Sequence, residues 1–116
     1  MFNRKKAEEE LFKLLEEAKD KNVIVEGKRD KEVLCSLGFK KIFTINKGLY
    51  ETTEKIKENE VLILTDFDKE GIEIAKKLNL FLQSFRHKVD GETRRKTGLM
   101  FVKLRIKKIE ELKSLR

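Results

Sequence analysis

Apolar positions along the chain fall into two alternating kinds of segment. Ala7, Leu11, Leu14, Leu15 and Ala18 recur at helical spacing with charges between them, and predict a helix over 4–19. Asn3 is placed to cap it, and Glu8, Glu9 and Glu10 suit its early turns. Val23-Ile24-Val25 is a short, uninterrupted β-branched run, which predicts a strand buried on both faces. A helix over 29–37 follows, with Val33, Leu34 and Leu37 inward and Gly38 as its stop. Ile42 to Ile45 reads as a second strand, Asn46-Lys47-Gly48 as a turn, and 51–58 as a short helix whose one strong apolar residue is Ile56. Val61 to Leu64 is the clearest strand, followed by a helix over 69–81 with Ile72, Ala75 and Leu78 on one stripe. The stretch 86–98 lacks periodicity and reads as a basic loop, Leu99 to Leu104 as a fourth strand, and Ile106, Ile109, Leu112 and Leu115 as a final helix.

Apolar strands joined by helical crossovers imply a parallel sheet with helices on both faces. The expected fold is therefore α/β, a three-layer α/β/α domain with a four-stranded parallel sheet and right-handed crossovers. A chain of 116 residues makes one such domain over 1–116, with its core at about 22–104.

Composition narrows the class. No run of about 18 apolar residues exists, so no membrane span is expected, and MFNRKKAEEE lacks the apolar core of a secretory signal. Cys35 stands alone and can form neither an internal disulfide nor a cysteine metal site. The expected setting is soluble and cytoplasmic. With 21 Lys and 16 Glu against one Gln and no Pro, the surface resembles that of thermophile proteins.

The distribution of charge says more than its total. Residues 1–85 balance 17 basic against 17 acidic side chains, whereas 86–116 hold 11 basic and 4 acidic. The whole surplus of +7 sits in that final stretch, a pattern suited to a polyanion such as RNA or DNA. Arg86, Lys88, Arg94, Arg95 and Lys96 are the candidate nucleic-acid contacts; the plainer reading is a solvated basic segment.

Ligands of open parallel sheets collect at the carboxyl ends of the strands. Glu26-Gly27-Lys28 follows the first predicted strand and Asp66-Phe67-Asp68 the third, so Glu26, Asp66 and Asp68 would share one sheet edge. Carboxylates gathered there repel one another until a divalent cation joins them. A few hard oxygens suit Mg²⁺ or Mn²⁺ better than Zn²⁺. Lys28 could neutralise charge beside such a metal, and glycines after Glu26 and Glu70 allow close backbone approach. Plainer readings make Asp68 a helix cap and Glu26 a partner of Lys28. Tyr50 reads as a packing or loop residue, Cys35 as a small core filler, and His87 as a surface residue.

VIVEGKRD at 23–30 together with LILTDFDKEG at 62–71 resembles the Toprim domain, shared by bacterial primases, topoisomerases, recombination-repair proteins and the small ribosomal-RNA maturases. The family signature is a strand ending in Glu-Gly, then an Asp-x-Asp after a later hydrophobic strand, and both halves occur here in order. The Glu-Gly-Lys-x-Asp form is most similar to the maturase branch and to stand-alone small Toprim proteins. The resemblance implies Glu26 as general acid or base, or as metal ligand, with Asp66 and Asp68 as the Mg²⁺-holding pair. It implies Gly27 as the glycine of a tight strand-to-helix turn and Gly71 as the glycine of the helix after the acidic pair. Lys28 and Asp30 match positions frequent in the maturase branch. The topoisomerase tyrosine has no counterpart, because Tyr50 follows the second strand of this same small domain.

These readings favour a metal-dependent phosphoryl-transfer enzyme on nucleic acid, with phosphodiester hydrolysis ahead and RNA slightly preferred. A non-catalytic nucleic-acid or ribonucleoprotein binding module is the first alternative, and primase-like nucleotidyl transfer the second. The small size leaves room for a partner protein or a homodimer.

Overall fold

The computed structural model describes residues 1–46, 48–57 and 60–115. Lys47 of the predicted turn and Glu58 at the end of the predicted short helix lie outside the described residues. The elements follow in the order α1 (Arg4–Ala18), β1 (Asn22–Val25), α2 (Lys28–Ser36), β2 (Lys41–Thr44), α3 (Leu49–Lys55), β3 (Glu60–Ile63), α4 (Lys69–Ser84), β4 (Lys88–Val89) and α5 (Gly91–Leu104). A 3₁₀ helix spans Ile109–Leu115.

The sheet has the order β2-β1-β3-β4 and every pairing is parallel, as expected. Ile24 pairs with Phe43 on one side and Ile63 on the other, while β4 meets only Glu60 and Val61 at the start of β3. Alternation along β1 and β3 sends Val23, Val25, Leu62 and Leu64 to one face and Ile24, Val61 and Ile63 to the other. The first face is covered by α1, α2, α5 and the 3₁₀ helix through Leu11, Leu15, Leu34, Phe101, Leu104 and Ile109. The second is covered by α4 through Ala75, Leu78 and Leu82, with Leu49 of α3 and Ile56 beside it.

This arrangement fixes where a ligand belongs. From β1 the chain crosses by α2 to β2 on the first face; from β3 it crosses by α4 to β4 on the second. The two neighbouring strands therefore lead away in opposite directions, and the crevice beyond their carboxyl ends is the topological switch point of the sheet.

The C-terminal third departs from the expected pattern. The predicted basic loop at 86–98 holds β4 and the first two turns of α5, and the predicted strand at 99–104 is the second half of that helix. Leu99-Met100-Phe101-Val102 looks like a buried strand because four apolar residues adjoin. In the structure only Met100 and Phe101 face the core, while Leu99 and Val102 are 51% and 75% exposed. The inward set Thr97, Met100, Phe101 and Leu104 has helical spacing, and Asp90 caps the helix by accepting from the Thr93 N–H. The predicted final helix is 3₁₀ rather than α, with Ile109 and Leu112 buried. Ile72, expected inward, is 42% exposed, because Gly71, Ala75, Leu78 and Leu82 form the buried stripe of α4. Cys35 is exposed rather than a core filler. Tyr50, 49% exposed, packs edge-on against Phe81 and tilted against Phe85.

Candidate metal centre

Glu26 is the first residue past β1, and Asp66 and Asp68 occupy the link between β3 and α4. The register of β1 against β3 brings these strand ends side by side. One carboxylate oxygen from each of the three residues lies within 4.8 Å of the others.

Main-chain amides hold the cluster in place. Glu26 Oε2 accepts from the Asp66 N–H at 2.7 Å, Asp66 Oδ1 from the Ile109 N–H at 2.9 Å, and Asp68 Oδ1 from the Gly71 N–H at 2.8 Å. The last bond makes Asp68 the N-cap of α4, so the cap and the ligand readings apply to one side chain. An ionised carboxylate has about four acceptor sites, so a single amide bond leaves each group able to bind a cation.

Electrostatics agree with that capacity. Burial pushes the Glu26 carboxyl above its ordinary value, and the charges of Asp66 and Asp68 push it further, against the Asp66 amide bond. Burial does the same to Asp66, opposed by the Ile109 amide and the charge of Lys108. Asp30 is buried, accepts from the Gly27 N–H at 3.2 Å and is likewise raised, chiefly by burial and then by Asp66. The donor set is three hard oxygens without nitrogen or sulfur, which fits Mg²⁺ or Mn²⁺. Like charges held this close are relieved when a divalent cation joins them.

The two glycines differ in what they do. A Cβ at Gly71 would sit 2.1 Å from the Asp66 carbonyl oxygen, so α4 can approach the acidic loop only with glycine there. Thr65 locks the approach by donating its hydroxyl to the Gly71 carbonyl at 2.7 Å. Gly27 is extended at φ −147, and a Cβ there meets nothing within 4 Å. The fold itself does not need that glycine; its absent side chain leaves open space beside Glu26. Lys28 stands exposed at the first position of α2.

The five basic residues proposed for nucleic acid are not brought together. Lys88 pairs with Glu60 at the start of β3, the opposite end of the sheet from the carboxylates, and Arg86 lies just before it. Arg95 and Lys96 both pair with Glu92 on α5. Arg94 turns inward: Nη1 donates to the carbonyls of Ile63 (3.0 Å) and Thr65 (3.1 Å), and Nη2 to that of Asp66 (3.5 Å). Its guanidinium also lies 4.4 Å from the centre of the Phe67 ring. Burial pushes its pKa down to about 10, against the supporting charges of Glu26 and Asp66. Arg94 thus occupies the edge of β3 that two-residue β4 leaves uncovered, and braces the loop carrying both aspartates.

A second support has no sequence signal. The Phe67 N–H donates to the Lys107 carbonyl at 2.7 Å and the Ile109 N–H to the Asp66 carboxylate, so the segment after α5 clamps the acidic loop with its own main-chain groups. Main-chain groups are common to every residue, and no side-chain pattern marks this contact.

A fold with its switch point so furnished defines a class. The Toprim domain matches residues 21–97, and the chain belongs to that family, whose members generally bind Mg²⁺ and act on nucleic acids. Among its relatives are UPF0292 proteins. That of Pyrococcus horikoshii is 44% identical over 96 residues, covering 80% of this chain and 72% of that protein. That of Archaeoglobus fulgidus is 34% identical over 106 residues, covering 87% and 85%. A solved Aquifex aeolicus protein superposes with a TM-score of 0.74 at 29% identity, covering 89% of this chain and 95% of that one. Among the described residues no helix is long and apolar enough to cross a membrane.

Proposed function

We propose that the protein is a Mg²⁺- or Mn²⁺-dependent phosphodiester hydrolase acting on nucleic acid, with RNA slightly preferred over DNA. The observation that carries this reading is the convergence of Glu26, Asp66 and Asp68 at the switch point of a Toprim fold. The lean toward RNA rests on the Glu26-Gly27-Lys28-x-Asp30 sequence, which is similar to the maturase branch.

Asp66 and Asp68 are the metal-holding pair, with Glu26 beside them. A bound cation would supply charge neutralisation at the phosphate and a more acidic water. Glu26, a half-buried carboxylate beside that pair, is suited to take up and return a proton at the attacking water. Lys28, exposed at the first position of α2, would neutralise charge on the phosphate. Arg94 orients the acidic loop through its carbonyls and leaves the carboxylates to the metal.

The test is turnover of end-labelled RNA and DNA strands with Mg²⁺ or Mn²⁺. Wild type should cleave, and Glu26→Gln should lose about 10²–10⁴-fold. Asp66→Asn and Asp68→Asn should be inert. A wild type inert on both substrates, or aspartate variants that cleave like wild type, would overturn the reading.

A further inference from the structure

We propose that the segment from Arg105 to Lys113 forms, with Arg29, a cradle for the phosphate backbone of the strand that enters the metal centre. The proposal rests on the hydrolase reading and adds to it the surface that holds the substrate. The segment lies beyond the family-matched residues 21–97.

Position is the first argument. Lys107 gives its carbonyl to Phe67 and Ile109 gives its N–H to Asp66, so Lys108 between them is fixed at the rim of the carboxylate cluster. Its charge is felt there, lowering the proton affinity of both Asp66 and Asp30.

Shape and charge add to position. Arg29, Arg105, Lys107, Lys108 and Lys113 line a cavity of about 680 Å³ together with two glutamates and Ser114. Glu111 is turned to the backbone, accepting from the N–H groups of Lys107 and Lys108 at 2.8 and 2.9 Å. Glu110 pairs with Arg29 at 3.7 Å and Lys113 at 3.6 Å, and both cations are well exposed. Exposed pairs of that kind are worth little and yield to a competing anion. Arg105, Lys107 and Lys108 have no ion pair among the described residues. Arg105 also ends α5 in the left-handed region at φ 57, where glycine is the easier residue. By contrast, Arg94 is committed to the carbonyls of Ile63, Thr65 and Asp66. Arg105, Lys107 and Lys108 therefore keep their side-chain donors for an incoming anion. Dispersed, hydrated cations in an open cavity suit repeated phosphates, which position a strand without reading its sequence.

The experiment measures binding of a fluorescent single-stranded RNA 20-mer by anisotropy, in EDTA, across a salt series. The triple variant Arg105→Gln, Lys107→Gln, Lys113→Gln is compared with Arg86→Gln, Lys88→Gln, Lys103→Gln, which removes equal charge elsewhere. Removing three phosphate contacts should flatten the slope of log K against log salt by about 2 and leave the control slope near wild type. Single Lys107→Gln and Lys113→Gln variants should each flatten it by about 0.7, which serves if the triple variant melts early. Equal slopes in the two triples, wild-type behaviour of the cradle variants, or no binding by wild type would overturn the proposal. So would displacement of the RNA by polyglutamate as readily as by unlabelled RNA. Cleavage assayed in parallel separates the two claims. Cleavage with unchanged slopes removes the cradle alone; flattened slopes without cleavage remove the hydrolase reading alone.

Discussion

Asp66 is the residue on which the contacts of the centre meet. Its N–H fixes Glu26, its side chain takes the Ile109 amide, and its carbonyl lies against both Arg94 and the bare Cα of Gly71. Such a position has an energetic consequence. A carboxyl whose folded pKa exceeds its unfolded value binds its proton more tightly when folded. The stability of the metal-free protein therefore falls as pH rises from about 4 through the raised values of Asp66, Glu26 and Asp30. Asp66→Asn cannot ionise yet keeps the Oδ1 acceptor for Ile109. Without metal at pH 7 it should melt higher than wild type by roughly 2–5 °C, a figure reduced for partial exposure. Added Mg²⁺ should raise the melting temperature of wild type and leave Asp66→Asn unmoved. Differential scanning calorimetry with EDTA and with Mg²⁺ reads both; an Asn variant that melts lower in EDTA would contradict this account. At this scale the carboxylates were legible in the sequence because they come shortly after the apolar runs Val23–Val25 and Val61–Leu64. Arg94 was visible only as a charge, since its partners are carbonyls that no sequence pattern displays.

The elements of the central sheet could be read from the sequence because β1 and β3 are buried on both faces, and uninterrupted apolar runs have few other solutions. The C-terminal third could not. Strand β4 is only two residues long, and α5 carries apolar residues on its exposed side as well as its buried one. Two charged contacts decide that region. Lys21 binds both Asp90 and Glu60, tying the start of α5 to the start of β3, while Asp90 caps the helix. Burial pushes the Asp90 carboxyl up, but the bonds from Lys21 and Thr93 outweigh it and hold it below its ordinary value. Its contribution is therefore present above about pH 4 and lost as pH falls through the depressed folded value, opposite in sign to the centre's carboxylates. Asp90→Ala should cost about 1 kcal/mol at pH 7, with the deficit shrinking in acid. Urea titrations at pH 7 and pH 3 measure it, and a deficit that grows in acid would contradict the assignment.

Across the whole molecule, charge and fold are arranged separately. The charge-neutral first 85 residues build three of the four strands and the carboxylates, and the basic remainder adds β4 and wraps back over the first face through Phe101, Leu104, Ile109 and Leu112. The surplus of +7 was legible in the sequence, but its placement depends on how α5 and the 3₁₀ helix pack. Arg86 and Lys88 end at the far edge of the sheet, while Lys107 and Lys108 arrive beside the centre. The central claim is that three carboxylates from two distant stretches form one cation site. Crystals grown with Mn²⁺ and measured at its absorption edge test that claim most directly. An anomalous peak within about 2.5 Å of oxygens from Asp66 and Asp68, with Glu26 adjoining, is the expected result. A Mn²⁺ peak elsewhere with none at these strand ends, at Mn²⁺ concentrations that support cleavage, would contradict it.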